Sequence, residues 1–144
     1  MFASSCVPLA RWGILQSRQT VGDVTRYHSA VGTPLRIGKQ DYASGVGAHA
    51  TSYVEYPLSG QFSQFSVTVG IDGYTEGRGS VIFRLFVDGK EVANSGLMNG
   101  LGKPKTLTAD KLTGAQRLIL SVTDGGDGTQ HDLADWVDGT LTAP

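Results

Sequence analysis

The chain is short of several things. It has one cysteine, Cys6, so no disulfide can form within it; a sandwich of this size needs no such staple, so the absence says nothing about compartment. Twelve Lys and Arg face thirteen Asp and Glu, which leaves no basic field to attract nucleic acid or an acidic membrane. No run of eighteen apolar residues exists, so no helical membrane span is expected. Glutamate is scarce: Glu55, Glu76 and Glu91 are the only three. They fall on a strand face, a loop and a hairpin, and nothing pairs them across a cleft as glycosidase chemistry requires. There is no Gly-x-Ser-x-Gly elbow. Gly125-Gly126-Asp127-Gly128 follows a strand, but the helix that a nucleotide-binding glycine loop needs does not come after it. A non-catalytic chain is therefore expected.

What the chain does have is glycine, 20 residues in 144, with only 17% charged residues. That suits a single turn-rich β domain large enough for a real core. From Leu35 onward a period of two appears. Val54, Tyr56 and Leu58 alternate with Tyr53 and Glu55; Phe65, Val67, Val69 and Ile71 with Ser66, Thr68 and Gly70; Val81, Phe83, Leu85 and Val87 with Ile82, Arg84 and Phe86. Leu118, Leu120 and Val122 repeat it. Such alternation predicts strands with one face on a core. Asp88-Gly89 predicts a two-residue hairpin turn. Short strands without long helices between them imply an all-β, antiparallel β-sandwich, and about eight or nine strands fit a jelly roll. Residues 1–8 read as a tail or linker remnant and 9–142 as the domain. Met1 to Cys6 lacks the basic start and apolar stretch of a signal, so an excised piece of a longer secreted protein is expected.

Four features carry candidate chemistry. The loop Asp72 to Gly79 offers a ring at Tyr74, an acceptor at Glu76 and a donor fork at Arg78. Sugars need that mixture, although a solvated loop needs nothing more than charge. His49 can grip a hydroxyl through either ring nitrogen, or tie loops together through Asp72 or Asp135; without a nearby Cys or second His it cannot form a zinc site. Asp124, Asp127, Asp132, Asp135 and Asp138 crowd among glycines. Oxygen donors on turns are what calcium selects, with Asp132, Asp135 and Asp138 as candidate ligands, while Asp also simply caps turns. The spacing is not that of an EF-hand. Trp136, at the start of the last strand, fits a core residue better than a stacking platform.

The ordered set Tyr42-Ala43-Ser44-Gly45-Val46-Gly47-Ala48-His49-Ala50-Thr51-Ser52, then Gly70-Ile71-Asp72, then Phe83 to Lys90, then Asp132-Leu133-Ala134-Asp135-Trp136 resembles the NPCBM-type carbohydrate-binding module. The resemblance runs from about Arg11 to Leu141. It implies a galactose-binding-domain-like β-sandwich appended to glycoside hydrolases. It further implies a glycan ligand, with galactose-containing glycans as the class, and one structural calcium. The expected sugar contacts are His49, Tyr74, Glu76, Arg78 and Asn99. The expected partner is a covalently attached catalytic domain, with no nucleic acid or membrane, in a monomeric and secreted setting. The alternative is a spacer that packs on the catalytic domain and binds no sugar.

Overall fold

The structure, a computed structural model, describes residues 6–8, 16–19, 25–26, 34–58, 60–73, 79–99, 103–125 and 133–143; before residue 34 it describes backbone only. Thirteen strands are found among them, eight of which have five residues or more. Those eight are β6 (Gly45–His49), β7 (Ser52–Pro57), β8 (Gln64–Ile71), β9 (Ser80–Val87), β10 (Lys90–Asn99), β11 (Lys105–Ala109), β12 (Arg117–Asp124) and β13 (Leu133–Thr142). One sheet orders them β11-β8-β13-β6 and the other β10-β9-β12-β7. Every pairing is antiparallel. This is the jelly-roll order, two Greek keys wound together.

The remaining strands are short. β1 (Cys6–Pro8) pairs with β13, β3 (Thr25–Arg26) with β6, and β2 (Gln16–Gln19) with β7. Cys6–Pro8, which the sequence pattern assigned to a tail, thus lengthens the first sheet. Three residues are too few to show a period of two. Trp12, whose isolation in the amino-terminal segment suggests an anchor under the sheet, lies outside the described residues.

The inward positions are those that the alternation gives. Phe65, Val67, Val69, Val81, Phe83, Leu85, Leu118, Leu120 and Val122 are all buried between the sheets. Trp136 joins them with 1% of its surface exposed, and its ring meets that of Phe83 edge-on with centroids 4.9 Å apart. That T-shaped contact sets the electropositive ring edge against the electronegative face. At the far end of β9 the chain turns through Asp88 (φ 50°) and Gly89 (φ 85°), the two positive angles of a primed hairpin turn. Asp88 does more than turn. Its carboxylate accepts the backbone N–H groups of Gln116 (3.1 Å) and Arg117 (2.9 Å), fastening the loop that leads into β12.

A second, smaller cluster lies on the outer face of the first sheet. A hairpin of β4 (Leu35–Ile37) and β5 (Gln40–Tyr42) lays Leu35 and Ile37 against Val137. The sheet is flattened there by glycine. A Cβ on Gly70 would stand 2.5 Å from Ile37, and one on Gly45 2.9 Å from Leu35. Only a bare backbone admits the hairpin that closely.

Candidate functional site

In a jelly roll whose neighbours are all antiparallel, alternate connections fall at the same end. The links β6–β7, β8–β9, β10–β11 and β12–β13 therefore gather at one end of this sandwich. The register fixes their described ends. In the first sheet His49 stands opposite Leu133, and the N–H of Asp72 donates to the Leu133 carbonyl at 2.8 Å. In the second sheet Asn99 stands opposite Ser80, whose carbonyl accepts the N–H of Gly125 at 2.9 Å. His49 and Asn99 thus mark the two sheets at this loop end. Tyr74, Glu76, Arg78 and Asp132 lie outside the described residues.

His49 is half-buried, and its Nδ1 lies 2.7 Å from the Ala50 carbonyl. A carbonyl only accepts, so Nδ1 carries the proton. In the neutral ring Nε2 is then the acceptor nitrogen. A sugar hydroxyl can donate to such a nitrogen. Asn99, exposed at the last position of β10, offers an amide with both donors and an acceptor.

Asp135 is fully buried on the outer face of β13, beside Val137 and beneath the β4–β5 hairpin. Asp72, 1% exposed, carries the second buried carboxyl beneath the same hairpin. Asp135 Oδ2 accepts the Arg36 N–H at 3.1 Å, and Asp72 Oδ2 lies 3.4 Å from the same nitrogen. Together they clasp the hairpin backbone. Burial, and then the Asp72 carboxyl, push the Asp135 pKa well above its ordinary value, against a smaller lowering by the Arg36 N–H. Asp135 Oδ1 finds no hydrogen-bond partner among the described residues, which suits a neutral carboxyl better than a buried carboxylate.

Asp138 lies elsewhere. It is exposed, with φ 52°, at a bulge of β13, and its N–H donates to the Ser44 carbonyl at 3.0 Å. Three residues, about 10 Å along a strand, separate it from Asp135, which is sealed beneath the hairpin while Asp138 faces solvent. Among the described residues no group of three His, Cys, Asp or Glu side chains is placed to hold a metal ion. Asp132, the third of the aspartates expected to hold calcium, lies outside the described residues. The Asp72–Asp135 clasp escaped sequence reasoning, although an aspartate between Ala134 and Trp136, with Leu133 and Val137 outside them, is a sign of burial on both faces.

The model of the NPCBM/NEW2 domain matches residues 6–142 of the chain. A putative endo-alpha-N-acetylgalactosaminidase of Renibacterium salmoninarum is 31% identical over 129 residues, which are 90% of this chain and 8% of that protein. The chain thus spans under a tenth of the length of this curated relative. Among solved structures, a CBM51 module from Clostridium perfringens GH95 in complex with methyl-galactose superimposes with a TM-score of 0.89 and 28% identity, covering 95% of this chain and 99% of that one. The CBM51-2 of C. perfringens ZmpB, in a structure with GlcNAc and INT domains, gives a TM-score of 0.91 at 25% identity, covering 96% of this chain and 32% of that one. With the jelly-roll order, the buried Trp136 and a family match over nearly its whole length, the chain belongs to the NPCBM/NEW2 domain family.

Proposed function

We propose that this domain is a non-catalytic carbohydrate-binding module that takes a neutral sugar at the loop end of the sandwich and holds an attached glycoside hydrolase near its glycan. The observation that carries the reading is the gathering of His49, Asn99 and the ends of the Asp72–Gly79 loop at one end of a rigid jelly roll. His49 Nε2 and Asn99 would meet hydroxyls, Glu76 and Arg78 would add an acceptor and a donor fork, and Tyr74 would offer a ring to the sugar's C–H face. A galactose-type residue is the first ligand to test, since a module of the same size and fold was solved with methyl-galactose and the long relative is named for an N-acetylgalactosaminidase.

A shallow site of this kind binds weakly, about millimolar to micromolar, or roughly 4–8 kcal/mol. Tethering is what makes that useful: it raises the concentration of the attached catalytic domain at the glycan. The enzyme would act outside the cell, where such glycans are. A glycan-array screen of the isolated chain tests the reading. Retention of galactose- or N-acetylgalactosamine-terminated glycans supports it. An array without a single retained glycan contradicts it and favours a spacer that only packs on its neighbour.

A further inference from the structure

Away from the loop end, a cavity of about 480 Å³ opens on the outer face of the second sheet, lined by Tyr53, Glu55, Phe86, Gly89, Ile119 and Ser121. A solvent-facing sheet normally carries polar side chains at its outward positions. Here three adjacent strands, β7, β12 and β9, turn Tyr53, Ile119 and Phe86 outward, while their inward neighbours Val54, Leu85, Leu118 and Leu120 already fill the core. The core does not need these rings. Their placement follows a pattern. Ile119 stands opposite Phe86 on one side and Glu55 on the other, and Ser121 stands opposite Tyr53. Phe86 and Glu55 are thus two strand spacings apart, about 10 Å, across a floor of Ile119 and Ser121.

Glu55 is the unusual member. Its side chain keeps only 6% of its exposure although it points away from the core, and Arg117 Nη1 donates to its Oε2 at 3.1 Å. Arg117 itself is 60% exposed at the rim. A guanidinium has five donors, more than one carboxylate oxygen engages. The groove therefore offers a ring wall, a carboxylate, a hydroxyl and a donor fork across about 10 Å. A pyranose presents an apolar C–H face and a rim of hydroxyls, which matches that set. The Glu55–Arg117 pair leaves the groove without net charge, which suits a neutral sugar.

We propose that the outer face of the second sheet is a second sugar site, taking a neutral pyranose residue within a glycan chain. It rests on the reading that the domain binds glycans. Ile119 lies five residues from Asp124 on β12, so the groove stands about 17 Å from the loop end. One branched or extended glycan can span both sites, and the second contact then forms within the first complex, at high effective concentration.

Amide shifts of the ¹⁵N-labelled chain test this, with methyl galactoside and a desialylated mucin glycopeptide as probes. The glycopeptide is expected to move the amides of Phe86, Ile119 and Ser121 together with those of His49 and Asn99. Ser121→Trp, which fills the floor, should abolish the first set and keep the second, and Phe86→Ala should weaken the groove by about tenfold. The dispersion of the same spectra reports whether each variant is folded, and the wild-type map stands without them. Shifts at the loop end with none in the groove overturn the second site alone. Groove shifts that survive in a folded Ser121→Trp overturn it as well. Silence at both places overturns this proposal and the glycan reading together.

Discussion

Phe83→Ala and Phe86→Ala form a matched pair, because they remove the same ring from the same strand on opposite faces. Phe83 is fully buried and edge-on to Trp136. Its truncation leaves a cavity beside an indole that cannot follow, and should cost about 3–5 kcal/mol. Roughly 0.5–1.5 kcal/mol of that is the ring–ring contact. Phe86 is half-exposed on the outer face. It loses only part of its transfer energy, about 1 kcal/mol. For a domain of this size each kcal/mol moves the melting temperature by roughly 2–4 °C. Phe83→Ala should therefore melt about 10–15 °C below wild type and Phe86→Ala about 3 °C below. Urea denaturation should give the same order with unchanged m-values. Equal losses from the two variants would refute the assignment of inner and outer faces. A small loss from Phe83→Ala together with a reduced m-value would mean that the core is not a single packed unit.

Three other outcomes are expected. Asp135 holds its proton above the ordinary carboxyl range. As pH rises past about 3.8 the unfolded side chain ionises while the folded one does not, so stability falls until the folded group ionises too. Asp135→Asn keeps an acceptor for Arg36 and cannot ionise; urea midpoints from pH 4 to 7 should be flatter in it, and an unchanged slope would contradict the raised Asp135 pKa. Asp88→Ala loses both backbone contacts to Gln116 and Arg117 and a side chain tolerant of positive φ. It should cost about 1–2 kcal/mol, with Asp88→Asn recovering part of it, as read by thermal melting. Asp135 is sealed beneath the hairpin and Asp138 is exposed, so Asp135→Asn and Asp138→Asn should answer calcium and chelator in a melting assay as wild type does. Loss of a calcium response in both would restore them as joint ligands.

The parts of the fold that the sequence made legible are those where a long strand has one face on the core. In β8, β9 and β12 the period of two persists for eight residues, so Phe65, Phe83 and Leu120 could be placed inside without knowing their partners. The Asp88-Gly89 turn was equally readable, since few residues adopt two successive positive angles. What stayed hidden depends on contacts distant in sequence. Cys6–Pro8 is too short to show a period and meets β13 more than a hundred residues later. Arg36 reaches Asp135 across 99 residues, and Arg117 reaches Glu55 across 62. Closeness in sequence misled for the aspartates: Asp135 and Asp138 are three residues apart, yet one is sealed beneath a hairpin and the other is exposed at a bulge. The candidate site was legible as a convergence of loops, because topology alone decides which connections share an end. The positions of Tyr74, Glu76 and Arg78 within it are outside the described residues.

Glycan binding at the loop end is tested most directly by calorimetric titration of the isolated chain with methyl galactoside, for wild type, His49→Ala and Arg78→Ala. The account predicts a dissociation constant between about 1 μM and 1 mM for wild type. It predicts a loss of about tenfold or more in Arg78→Ala, if a charged hydrogen bond is removed, with the melting temperature nearly unchanged. It predicts a comparable loss in His49→Ala. Wild-type affinity retained in both variants, with their folds intact, would contradict a sugar site at this end of the sandwich.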